Sequence, residues 1–334
     1  MRLLLTTVLW LLAASPIFLA TSKAWANSLT VYTYDSFVAE WGPGPKIKAA
    51  FEETCNCTLN LVGLADAVAI LGRLKFEGEA TQADIVLGLD KSLIAEARET
   101  GLFTASSVDT SALTVPGGWA DKTFLPYDYG YFAFIYDKTA LAAPPQSLAE
   151  LVEGTATVII QDPRSSSPGL GLMLWMRKIF GDDAAGAWAR LAPRIVTVTS
   201  GWSESYGLFL KGEADMVLSY STSPAYHITE ENDHRYQAAA FSEGHYIQVE
   251  TAARLARSHD PGLAEKFLTF LVSQEAQAIL PATQWMYPVR DVKDALPPAF
   301  SQLIEVSSPL SFTSDEVMAG RAKWVAEWRD ALSR

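Results

Sequence analysis

Cysteine is nearly absent: the 334 residues hold two, both in one tripeptide, C-N-C, at Cys55 and Cys57. That spacing is too tight for a zinc knuckle, and no second pair completes one. In an oxidising compartment the two would close a small disulfide loop, and a reactive thiol is the alternative reading. Histidine is scarce as well. His227, His234, His245 and His259 show no metal-ligand spacing, so no metal chemistry is expected. Basic residues are outnumbered, 26 Lys and Arg against 38 Asp and Glu, for a net charge of −12. Such a surface repels nucleic acid and anionic lipid and mildly attracts cations, although most of these charges read as solvated surface. After the N-terminal segment no run approaches the ~18 apolar residues of a membrane-spanning helix. There is no G-x-S-x-G, no phosphate-binding G-x-x-x-x-G-K-[ST], and no G-x-G-x-x-G after a strand. No histidine is obviously placed as the base for a serine cluster. These gaps favour binding over catalysis.

What is present begins with an export signal. Arg2 precedes a long apolar stretch, and A-W-A closes it at Ala24 to Ala26. That order is a signal peptide cleaved near Ala26, with an uncleaved anchor as the competing reading. No cysteine sits at the cleavage point for a lipid anchor. Hydrophobic content of 49% supports a buried core, and the chain length suggests two lobes.

Strand-like and helical segments then alternate. S-L-T-V-Y-T-Y (28–34) reads as strand, 45–53 as helix and T-L-N-L-V-G-L (58–64) as strand. Asp66 caps a helix that Gly78 stops. A continuous apolar strand (83–89) and a helix (92–100) follow, and then the aromatic strand L-P-Y-D-Y-G-Y-F-A-F-I-Y-D (125–137). Ser147 and Glu150 fit a capping box. A second unit has strands at 155–162, 195–199 and 215–220 and a helix through 172–180. The chain returns through 245–250 and a helical stretch at 265–277, ending in an amphipathic helix at 314–332. The pattern predicts α/β architecture, two mostly parallel sheets flanked by helices and joined by a hinge. Ligands of such sheets collect at the carboxyl ends of strands, which brings Tyr34, Asp66, Ser166 and Tyr220 to one cleft.

Several strand ends share a chemistry. V-Y-T-Y-D-S-F (31–37) ends in the Tyr34 ring beside polar groups. Q-D-P-R-S-S-S-P-G-L-G-L (161–172) puts Ser166 and Ser167 at a helix start, either as a plain cap or as a site for an anion or polar group. T-S-G-W-S-E-S-Y-G (199–207) presents Trp202 in a loop. L-S-Y-S-T-S-P-A-Y-H (218–227) carries Tyr220, the hydroxyls Ser221, Thr222 and Ser223, and then Tyr226. Q-W-M-Y-P-V (284–289) places Trp285 in a Pro-bounded loop. Rings and hydroxyls recurring at strand ends suit a flat, polar or cationic heterocycle.

Together with W-G-P-G-P (41–45), C-N-C, A-D-I-V-L-G-L-D (83–90) and G-W-S-E-S-Y-G-L-F-L-K-G-E (201–213), these motifs resemble the periplasmic thiamine-binding proteins, from about residue 28 to the C-terminus. The resemblance implies a two-lobed type II periplasmic binding fold, with lobes of 27–127 plus 250–305 and of 128–249 plus 306–334. It implies thiamine, thiamine monophosphate and thiamine pyrophosphate as transported ligands, no cofactor, and a membrane permease with a cytoplasmic ATPase as partner in an ABC importer. The pocket positions it implies are Tyr34, Asp66, Ala67, Ser166, Ser167, Trp202, Tyr220, Ser221, Thr222, Ser223, Tyr226 and Trp285. Ala67 departs from the glycine of the family pattern, and its methyl group could crowd a ligand at that N–H. The competing readings are a thiaminase-like enzyme with a cysteine nucleophile, and a receptor for a polyamine, ferric ion or sugar.

Overall fold

A computed structural model describes residues 27–292, 295–307 and 309–333. The expected signal peptide lies outside the described residues. In chain order the elements are β1 (Ser28–Tyr34), α1 (Asp35–Val38), α2 (Gly44–Cys55), β2 (Thr58–Leu64), α3 (Ala67–Glu77), β3 (Ile85–Asp90), α4 (Ile94–Glu99) and β4 (Leu125–Asp137). Next come α5 (Leu148–Glu153), β5 (Val158–Gln161), α6 (Ser167–Phe180), α7 (Ala184–Leu191), β6 (Ile195–Thr199), α8 (Trp202–Leu210), β7 (Met216–Tyr220) and α9 (Ser223–Glu230). The last are β8 (Tyr236–Ala238), β9 (Ile247–Arg254), α10 (Pro261–Leu271), α11 (Gln274–Ile279), β10 (Tyr287–Pro288) and α12 (Ser314–Leu332).

The strands run β2-β1-β3-β9-β4-β7-β5-β6, with β8 and β10 also on β4. β4 is the pivot. Its first part, Leu125 to Tyr131, pairs with β9, while Phe132 to Tyr136 pairs with β7. One side of this crossing is a sheet with β1, β2 and β3 parallel, and the other has β5, β6 and β7 parallel. The sequence accounts for this. β3 and β5 are apolar runs buried at every position, as parallel strands covered on both faces must be. The single helix expected over 265–277 is two, α10 and α11, because Ser273 caps a new start by accepting from the Ala276 N–H. Ser147 accepts from the Glu150 N–H, but the Glu150 carboxylate turns to the Gln146 N–H, so the expected box closes on one side only.

Helix α2 packs on α10 through Phe51 and Phe267, edge to face with centroids 5.0 Å apart. Trp175 of α6 is wholly buried in the same continuous core. Helix α12 starts with a full capping box, Thr313 with Glu316, and lies against α4 on one side of the crossing and against α6 and α7 on the other. Cys55 and Cys57 are joined by a disulfide where α2 turns toward β2.

Candidate functional site

The carboxyl ends of β1, β5 and β7, with the turns that follow β2 and β6, meet where the two sheets face each other. Asp66 is the N-cap of α3, its Oδ1 accepting from the Ala67 N–H at 2.8 Å. It does not stop at its own helix. Ser166 donates to Oδ2 at 2.9 Å and Ser167 to Oδ1 at 2.7 Å, from one hundred residues further along the chain. Ser166 is therefore the N-cap of α6 by position but spends its hydroxyl on Asp66 rather than on its own helix. The contact ties the two halves together, and all three side chains are buried. Burial raises the Asp66 carboxyl above its usual range, and the two serines and the backbone N–H groups pull it back. Close by, Gly201 nears the Ala65 carbonyl, which a Cβ there would meet at 3.4 Å.

Trp202 is not in a loop, as its Gly-flanked sequence predicts, but opens α8 with Gly201 as N-cap. Its indole N–H donates to Ser219 at 2.7 Å, and the Ser219 hydroxyl meets Ser223 at 2.7 Å. Behind it Tyr206 stacks at 5.1 Å, backed in turn by His227. In front, Trp41 from the other half comes within 6.2 Å. A second aromatic pair crosses the gap: Tyr226 of α9 meets Trp285 edge-on at 5.7 Å. Trp285 has φ +58°, a left-handed backbone that a bulky side chain adopts only when its surroundings impose it. Ser221 and Thr222 are buried with hydroxyls that find no partner among the described residues. The Tyr220 hydroxyl donates to Gln248 at 2.9 Å.

Tyr34 is 5% exposed. Its ring lies directly on Gly88, where a Cβ would come within 2.4 Å of ring carbons and where β3 bulges at φ +98°. Only glycine fits there. The Tyr34 hydroxyl accepts from Gln284 at 2.5 Å and donates to Glu250 at 2.8 Å, and Tyr127 donates to the same Glu250 oxygen at 3.1 Å. Opposite Glu250 in register on β4 is Asp128, fully buried, with no donor on either oxygen among the described residues. Burial pushes the Glu250 carboxyl up to about 7, and burial together with Glu250 raises Asp128 well above the carboxylate range. Asp90, at the end of β3, is raised by burial too. None of Asp66, Asp90, Asp128 and Glu250 is ion-paired to Lys, Arg or His among the described residues.

Glu250, Asp128, Tyr127, Gln284, Gln248 and Trp41 escaped the sequence reading. The available signal was an acid inside an aromatic or apolar strand, as in P-Y-D-Y and Y-I-Q-V-E, which period-2 patterning does not flag. A cavity of about 520 Å³ lies elsewhere, between α4, residues 118–121 and the start of α12, and it carries Lys91 and Arg98 against Glu99, Asp121 and Asp315. It mixes two bases with three acids, whereas Asp66, Asp90, Asp128 and Glu250 have no ion-pair partner among the described residues.

Residues 46–304 match the family of bacterial extracellular solute-binding proteins. The thiamine-binding periplasmic protein of Escherichia coli K12 is 58% identical over 321 residues, 95% of this chain and 98% of that protein. That of Brucella melitensis is 51% identical over 318 residues, 95% of each chain. A solved structure titled periplasmic thiamin binding protein superposes with a TM-score of 0.90 at 59% identity, covering 92% of this chain and 96% of that one. The fold is the type II periplasmic binding fold. The chain belongs to the bacterial extracellular solute-binding proteins and, among them, to the thiamine-binding periplasmic proteins.

Proposed function

We propose that this protein is a periplasmic receptor that captures thiamine, thiamine monophosphate and thiamine pyrophosphate and hands them to the permease of an ABC importer driven by a cytoplasmic ATPase. Export through a signal peptide cleaved near Ala26 delivers it to the periplasm. The observation that carries this reading is the pairing of opposed rings, Trp41 with Trp202 and Tyr226 with Trp285, beside four buried carboxyls of which none is ion-paired among the described residues. Thiamine is flat and permanently positive, so each Tyr or Trp face contributes about 0.5–2 kcal/mol to holding it.

The ligand-contacting set under this reading is Tyr34, Asp66, Ala67, Ser166, Ser167, Trp202, Tyr220, Ser221, Thr222, Ser223, Tyr226 and Trp285. Ser221 and Thr222 bring hydroxyls still lacking a partner. Asp66 marks an anion position between two helix starts, and a ligand phosphate would take the Ser166 and Ser167 hydroxyls there. The Ala67 N–H, already turned to Asp66, keeps its donor despite the methyl group. The lobes are 27–127 with 250–305, and 128–249 with 306–334, hinged where β4 changes partners. Closure of one on the other excludes water and produces the form the permease recognises.

A thiaminase-like reaction lacks its nucleophile, since Cys55 and Cys57 are bonded to each other. Calorimetric titration of the purified protein tests the reading. Saturable binding of thiamine and its phosphates is expected, with little or none of spermidine. Tight spermidine binding and silence with thiamine would refute it.

A further inference from the structure

Glu250 and Asp128 do not belong to the ligand-contacting set, yet they are its most conspicuous neighbours. They face each other on adjacent antiparallel strands, 3% and 0% exposed. Two tyrosine hydroxyls converge on one Glu250 oxygen, and one of them belongs to Tyr34, itself held by Gln284 beside Trp285. Asp128 is buried with both oxygens short of a donor, which only a proton within the pair can supply. The titratable groups that face the pair are Tyr34 from β1, Tyr127 from β4, Asp66 from the α3 cap, and Tyr220 and Asp90 from β7 and β3. All are acids or neutral phenols. Lys91 acts on Asp90 alone, and burial depresses its own charge.

Two adjacent buried carboxyls without a cation cannot both ionise, so protons supply the missing positive charge. A ligand cation entering next to them would take over that task. We propose that Glu250 and Asp128 form the counter-charge for the ligand's cationic ring and give up one proton when it enters. The cation takes the proton's place and the proton goes to solvent, so the interior keeps its net charge. The pair acts through Tyr34 rather than by contact, and it selects cations over neutral molecules of the same shape. This inference rests on the thiamine reading.

Titration calorimetry of the mature chain with thiamine, in two buffers of different ionisation enthalpy, measures the proton directly. Release approaching one proton is expected at about pH 6, falling to about half a proton near pH 7 and toward none at about pH 8, with affinity rising about tenfold across that range. Glu250→Gln should abolish both effects and narrow the preference for thiamine over an uncharged analogue. Thiamine binding by the unmodified protein with buffer-independent heat and flat affinity would overturn the inference, and that result needs no variant. Undiminished proton release in Glu250→Gln would overturn it equally. Absence of thiamine binding at every pH would instead remove the functional reading on which it stands.

Discussion

Two buried carboxyl centres lie in the same cleft and have opposite surroundings. Asp66 accepts from two serine hydroxyls and its own helix start. Asp128 has no donor outside its pair with Glu250 among the described residues. The difference shows what burial does to an acid. Where donors converge from both halves, they offset part of what burial does and make the carboxyl a tie between them. Where donors are missing, the group keeps a proton instead.

The largest expected consequence is in stability against pH. Glu250 is raised when folded, so the folded state binds more protons than the unfolded chain between about pH 4.3 and about pH 7. Its contribution is fully present below that window and is lost as pH rises through it, by at most about 1.4 kcal/mol per pH unit. Urea melts from about pH 5 to about pH 7 should show the unliganded protein losing about 2 kcal/mol relative to Glu250→Gln. Parallel curves would erase the contrast with Asp66.

On the other side, Ser166→Ala combined with Ser167→Ala removes the hydroxyls facing Asp66. Thiamine pyrophosphate should lose at least about tenfold more affinity than thiamine, since hydrogen bonds to charged groups are worth about 1.5–3 kcal/mol. Equal losses for both ligands would mean the serines serve closure and not phosphate.

Trp202→Ala and Trp285→Ala test the rims above the two acids. Each should weaken thiamine about tenfold while leaving the melting curve of the unliganded protein close to unchanged. Unchanged affinity in both would discard the stacking account.

The smallest effects sharpen the comparison most directly. Asp66→Asn should cost about 1 kcal/mol of stability, because a charged acceptor of three donors is lost. Asp128→Asn should cost under about 0.5 kcal/mol, since an amide has the shape of a protonated carboxyl. A reversed order in chemical denaturation would contradict the assignment of the proton.

Much of the architecture was legible in the chain. β1, β2, β4, β6, α12 and the Asp66 cap follow from local chemistry: alternation, apolar runs, Gly78 as a stop and Asp as an N-cap. Gly201 looks like a break and so predicts a loop at Trp202, whereas Gly201 is the N-cap of α8. Ser166 was read as a cap or an anion donor, and its actual partner, Asp66, is too distant in sequence for any local rule to find.

Sequence alone determined the α/β pattern, the strand ends rich in rings and hydroxyls, and the excess of acid, because these depend on residue type and short-range spacing. Tertiary structure alone decided which acids face which donors. Tyr34 meeting Glu250 across 216 residues, and Asp128 set beside Glu250 with no other donor among the described residues, are products of strand register. The charge state of a buried group depends on what surrounds it in space, and folding, not neighbouring residues in the chain, supplies those surroundings.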